Sequence, residues 1–156
     1  MGIEILQTIL DEIGKQELFP GASLNPNKNG TCIIPLPGDG NLMFELDGRE
    51  EHLIVVSILG TVTPGRYRES LFKEALKANG LPYPREGTIA YSSKTEHLLL
   101  FEKMHLPGLT GGMVVTYLPK FLEKADLWRQ AVSTGAVPSV VDTQSGLGLQ
   151  SLLGLR

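Results

Sequence analysis

Cysteine is nearly missing from this sequence. Cys32 stands alone, so no disulfide can form within the chain, and a reducing compartment is the expected setting. Long apolar runs are missing as well: no window approaches the roughly 18 uninterrupted apolar residues of a membrane helix, and no membrane insertion is expected. The first residues, MGIEILQTILDEIG, carry Glu4, Asp11 and Glu12 and no basic leader, unlike a secretory signal. Leu6 stands where a myristoylation start requires Ser or Thr. These absences together predict a cytoplasmic protein. Clustered basic charge is lacking too. The 14 Lys and Arg are scattered among 17 Asp and Glu, for a net charge of −3, which argues against nucleic acid as a partner.

The signatures of chemistry are equally scarce. No phosphate-binding loop occurs, and no G-x-G-x-x-G leads from a strand into a helix. Gly38-Asp39-Gly40 lies between two strand-like runs and reads as a hairpin turn. Gly108, Gly111 and Gly112 precede a helix, but no lysine follows at a useful spacing, so slack before the helix explains them. Of the three histidines, His97 and His105 are too far apart on one strand to share a metal, and His52 reads as a polar residue at a strand end. No His or Cys pair has zinc spacing. Asp47, Glu50 and Glu51 read as a solvated acidic turn, Cys32 as a small buried hydrophobe, and Ser57 lacks a G-x-S-x-G frame. A non-enzymatic protein without cofactor or metal is expected.

What the chain has is apolar periodicity. Hydrophobic residues make up 42% and charged ones 20% of 156 residues, enough for one domain with a single core. Ile3, Leu6, Leu10 and Ile13, with Ile5 and Ile9 beside them, predict a helix over residues 3–18 with a wide stripe. That width suits either burial of both flanks in one core or a face left for a partner. TCIIPL (31–36) predicts a strand that Pro35 confines to an edge or ends, NLMFEL (41–46) its return, and HLIVVSIL (52–59) a central third strand. Thr63-Pro64 opens a second helix with a capping hydroxyl, and Asn79-Gly80 closes it with a left-handed stop. Strands are predicted over 87–92 and 96–106.

Val114, Tyr117 or Leu118, Phe121, Ala125, Trp128 and Val132 then repeat at helical spacing, with Trp128 expected in the core. Pro119 either kinks this helix or marks its first turn with Thr116 as cap. Beyond Thr134 the chain is rich in Gly, Ser and Leu and nearly uncharged. The expectation is an α+β fold, an antiparallel twisted sheet with helices in the order α-β-β-β-α-β-β-α. A single domain over 1–133 is followed by a tail over 134–156.

The stretches LGTVTPGRYRESLFKEALKANGL, GTIAYSSKTEHLLLFEKMHL and FLEKADLWRQAV, with the aromatic-Arg pair Trp128-Arg129, resemble the class I type III secretion chaperones. That family includes the chaperones of Tir and of the Yop effectors. The chain departs from its pattern at Pro119 and in the longer tail. The resemblance implies a cytoplasmic homodimer in a Gram-negative bacterium. It would bind the extended N-terminal segment of a secreted effector, a virulence protein, and hand it to the export apparatus. It also implies a dimer contact through the second helix and the next strand, at Tyr67, Leu71, Phe72, Ala75 and Ile89. Physical reasoning places effector-binding grooves beside the first helix, at Leu6, Leu10, Ile13, Ile33, Met43 and Phe44.

Two other readings stay open. A small α+β enzyme or ligand-binding domain would use Cys32 or His52 in a closed polar pocket, and a structural adaptor of a secretion machine would bind folded machinery. The leucines at 147, 149, 152, 153 and 155 also prompt the expectation that the tail docks as a stand-in for cargo.

Overall fold

Leu6, Ile9, Leu10 and Ile13 recur at the i, i+3, i+4, i+7 spacing of one helix face. In the computed structural model, which describes residues 2–82 and 86–140, they form the buried stripe of helix α1 (Gly2–Lys15). Strands β1 (Cys32–Pro35), β2 (Asn41–Leu46) and β3 (His52–Thr61) follow, then helix α2 (Arg66–Asn79), strands β4 (Thr88–Ser92) and β5 (His97–His105), and helix α3 (Gly111–Thr134). Every strand pair is antiparallel, and the sheet order is β1-β2-β3-β5-β4. This is the α+β order the sequence predicts, with the long apolar strand β3 in the centre. All but the start of the expected tail lies outside the described residues.

The two-residue period of a strand sends alternate side chains to opposite faces. In β3, Leu53, Val55, Ser57 and Leu59 are buried, and they line the inner face with Phe44, Leu98 and Leu100. Ser57 is the buried polar residue there, and its hydroxyl donates to the Asn41 carbonyl at 2.8 Å. Helix α3 lies over β3, α1 packs on α3 and β2, and α2 packs on β4. Val114, Leu118, Phe121, Ala125 and Trp128 form the buried stripe of α3, and Trp128 is a core residue as expected. A fully buried side chain of this size contributes roughly 1.5–3 kcal/mol.

Two glycines set the spacing of these layers. A Cβ at Gly111 would lie 2.3 Å from Glu12 Cβ and 2.9 Å from both the Ile9 carbonyl oxygen and the Ile13 nitrogen. Only glycine lets the start of α3 meet the backbone of α1, and the Glu12 carboxylate accepts a hydrogen bond from the Gly111 amide there. Gly60, at φ 144°, follows an irregularity in the β3–β5 register, and a Cβ on it would meet Val132 of α3 at 2.7 Å.

Four helix ends differ from expectation, the first being that α1 closes at Lys15 rather than at residue 18. Helix α2 is capped by Gly65, at φ 151°, with no side-chain hydrogen bond. Thr63 stands two residues before that cap, and the turn at Gly65 delays the helix to Arg66. At the other end Gly80 is right-handed (φ −85°, ψ −5°), and its N–H donates back to the Leu76 and Lys77 carbonyls. A left-handed residue is not needed there, because the Asn79 side chain bonds both the N–H and the carbonyl of Ile89, each at 2.8 Å, and itself clamps the helix end to β4. Helix α3 starts at Gly111 with Thr110 as its cap, whose hydroxyl accepts from the Met113 amide at 3.2 Å. The helix runs through Pro119, which lies on its exposed side. Water can take up the carbonyl that proline leaves without a donor on that side.

Candidate functional site

The outer face of the sheet is apolar and open to solvent. The register aligns Ile33 with Met43, Met43 with Val56, Val56 with Phe101 and Phe101 with Thr88, one row across all five strands. Ile33 is 51% exposed, and Met43, Val56 and Phe101 are each partly exposed. Ile54, Ile58 and Leu99 flank the row and are partly exposed as well. The row ends at β1, an edge strand of four residues closed by Pro35. An edge of this kind offers unpaired backbone groups to an incoming strand.

Of the six residues expected to line grooves beside α1, the structure turns four inward. Leu6, Leu10, Ile13 and Phe44 are at most 1% exposed and belong to the core, because this stripe is the face that α1 lays on α3 and β2. Ile33 and Met43 stand on the opposite face of the sheet, next to each other in register. The open apolar residues of α1 are instead Ile3 and Ile5, 59% and 41% exposed. Ile3 stands three residues before Leu6 and Ile5 four before Ile9, on the two margins of the stripe in the first turn, so spacing alone does not separate them from the core. Shallow recesses lie beside the helix, one toward each end. One of about 330 Å³ is lined by Ile3, Leu6, Leu46, Lys28 and Glu50. The other, of about 370 Å³, is lined by Leu10, Ala22, Leu24, Asp11 and Lys15.

A second apolar surface lies where α2 meets the edge strand β4. A cleft of about 200 Å³ is lined by Phe72, Ala75, Leu76, Ile89, Tyr91 and Leu98. Leu76, outside the set the resemblance implies, is 71% exposed and is the most open apolar side chain of this surface. Two of its lining rings carry Arg68, whose guanidinium lies 5.7 Å from the Phe72 ring centre and 5.4 Å from that of Tyr91 and donates to the Tyr91 hydroxyl at 3.0 Å. Leu71 and Tyr67 turn away from the cleft. Leu71 is fully buried, and the Tyr67 hydroxyl hydrogen-bonds to the carbonyls of Ala131 and Ala136, tying α2 to the end of α3.

Cys32 and His52, the groups a catalytic reading would use, lie apart. Cys32 is buried on the inner face, where desolvation pushes its thiol pKa up, the reverse of an activated nucleophile. His52 stands on the outer face, so the sheet separates the two. The Asp47 carboxylate meets His52 Nδ1 at 2.9 Å. Desolvation raises the Asp47 pKa, but hydrogen bonds from the His52 ring and from the Glu51 and His52 amides, with the attraction of His52, outweigh it and bring it to about 2. Among the described residues no group of three or more His, Cys, Asp or Glu side chains is placed to hold a metal ion. No helix among them is long and apolar enough to cross a membrane.

An antiparallel sheet with its helices on one face and apolar surface on the other, at its edges and beside α1 defines a binding protein. The sequence model of the Tir chaperone protein (CesT) family matches residues 8–129, and the chain belongs to that family. No curated protein sequence matches it. Its fold is similar to that of a chain in the HopA1–SchA chaperone–effector complex (16% identity, TM-score 0.63, covering 81% of this chain and 94% of that one). It is also similar to a chain in the ExsC–ExsE complex (15% identity, TM-score 0.60, 82% and 93% covered). A third likeness is to the Yersinia pestis type III secretion chaperone SycH with a stable fragment of YscM2 (15% identity, TM-score 0.53, 82% and 99% covered).

Proposed function

We propose that this protein is a cytoplasmic chaperone of a type III secretion system. It binds the extended N-terminal segment of a secreted effector and keeps that segment soluble and ready for export. The observation that carries this reading is the apolar row Ile33–Met43–Val56–Phe101 leading to the open edge of β1, in a chain of the Tir chaperone family. An extended client gains backbone hydrogen bonds at a strand edge and anchors its apolar side chains beside it, without having to fold. The recesses beside α1, on the helical side of the sheet, offer further apolar positions, and Leu6, Leu10, Ile13 and Phe44 form the core beneath the row. The working form is a homodimer joined through α2 and β4, where Phe72, Ala75 and Leu76 face the cleft. A two-fold contact brings one such face onto its own copy. Co-expression with N-terminal segments of effectors from the native host tests the reading. An otherwise insoluble segment is expected to copurify as a complex of two chaperones and one segment, and a monomeric chain that captures none of them overturns it.

A further inference from the structure

His52 on β3 and His105 on β5 are separated by 52 residues of sequence positions 53–104 yet are direct partners in the sheet register. Their rings stand 5.5 Å apart between centres, tilted at 59°. Two imidazoles that ligate one tetrahedral ion at the usual metal–nitrogen length have ring centres about 5 Å apart. The tautomer suits this arrangement. A carboxylate accepts, so His52 Nδ1 donates to Asp47 at 2.9 Å and leaves the Nε2 lone pair bare. A carboxylate behind the ring fixes its orientation and raises its basicity as a ligand. Lys103, a cation beside the pair, already lies 3.8 Å from the Asp47 carboxylate, so its charge is partly neutralised toward an incoming ion. His105 is exposed and has the freedom to turn its ring toward the ion.

We propose that His52 and His105 form a binding site for a divalent first-row transition ion such as Zn²⁺ or Ni²⁺, with Asp47 as the residue that positions His52. Two side chains ligate the ion and water fills its other positions. The site pins β3 to β5 at the rim of the outer sheet face, and it does not rest on the proposed client binding. Titration of the full-length protein with Zn²⁺, and separately with Ni²⁺, by calorimetry is expected to show one ion per chain. His105→Ala, at an exposed position, is expected to abolish binding, as is His52→Ala, while His97→Ala leaves it unchanged. Asp47→Asn is expected to weaken it about tenfold or more. In the unmodified protein, Zn²⁺ is expected to shift the NMR signals of the His52 and His105 rings and not those of His97, a readout independent of whether any variant folds. Undiminished affinity in His105→Ala, equal shifts at all three rings, or no binding by the unmodified chain overturns the proposal.

Discussion

Glu12 of α1 and Gly111 of α3 are joined by a hydrogen bond from the Gly111 amide to the Glu12 carboxylate, across a gap with no room for a methyl group. The carboxylate takes one of the free amides at the start of α3, and the missing side chain lets the two backbones touch. Gly111→Ala puts a Cβ against backbone atoms that cannot move aside cheaply. It is expected to destabilise the fold by about 1–3 kcal/mol, the cost typical of overpacking, read as a lower midpoint in urea at unchanged slope.

The outer sheet face is expected to separate binding from stability. Ile33→Asp changes a side chain that is 51% exposed, and surface changes of this kind typically move stability by no more than about 0.5 kcal/mol. On the proposed function, affinity for a client segment falls about tenfold or more, since a buried apolar anchor contributes roughly 1.5–3 kcal/mol. Phe44→Ala, one position along in the neighbouring strand but buried, does the opposite and costs about 3–5 kcal/mol of folding stability. Equilibrium unfolding and client titration on the same two variants check both halves.

Leu76→Asp is expected to dissociate the proposed homodimer and leave a folded monomer. Leu76 is 71% exposed within one chain, so a carboxylate there costs the monomer little, while its copy across a two-fold axis would bring two like charges into an apolar contact. Light scattering coupled to size exclusion reads the mass, and circular dichroism confirms the fold.

The Asp47 carboxyl is held at about 2 against an ordinary value of 3.8. A pKa lowered by folding stabilises the folded state above the unfolded value and is lost as pH falls through the folded one. Asp47 therefore supports the fold above about pH 4, and that support fades toward pH 2. Asp47→Asn is expected to flatten the pH dependence of the melting temperature in that window and to lower stability at neutral pH. An identical slope in both proteins between pH 4 and pH 2 counts against the assignment.

Cys32 is fully buried and its thiol pKa is raised by desolvation. An aromatic disulfide reagent is expected to leave it unmodified in the native protein and to titrate one thiol per chain in denaturant. Fast labelling of the folded protein would revive a role for this residue in chemistry.

The element order was legible because apolar residues switch from helical spacing, as in Leu6–Leu10–Ile13, to short continuous runs bounded by turn residues, as in HLIVVSIL. The direction in which those faces point was not. The stripe of α1 reads as apolar in the sequence, but its burial depends on Gly111, one of 18 glycines, and nothing local distinguishes a glycine that admits a neighbouring helix from one that turns a loop. The left-handed stop expected at Gly80 fails because Asn79 bonds to Ile89 ten residues on, a contact that no local rule contains. The His52–His105 pair depends on a register that shifts between Ile58 and Gly60, so its two members become neighbours only once the sheet is assembled.

The brevity of β1, and the proline that closes it, bear on how the molecule survives with a greasy rim. Long flat strand borders invite copies of a protein to stack without limit, whereas short ones interrupted by proline are poor templates for such growth. A rim of this length suits a single visiting strand and discourages fibrillation, so stickiness toward strangers need not become stickiness toward itself.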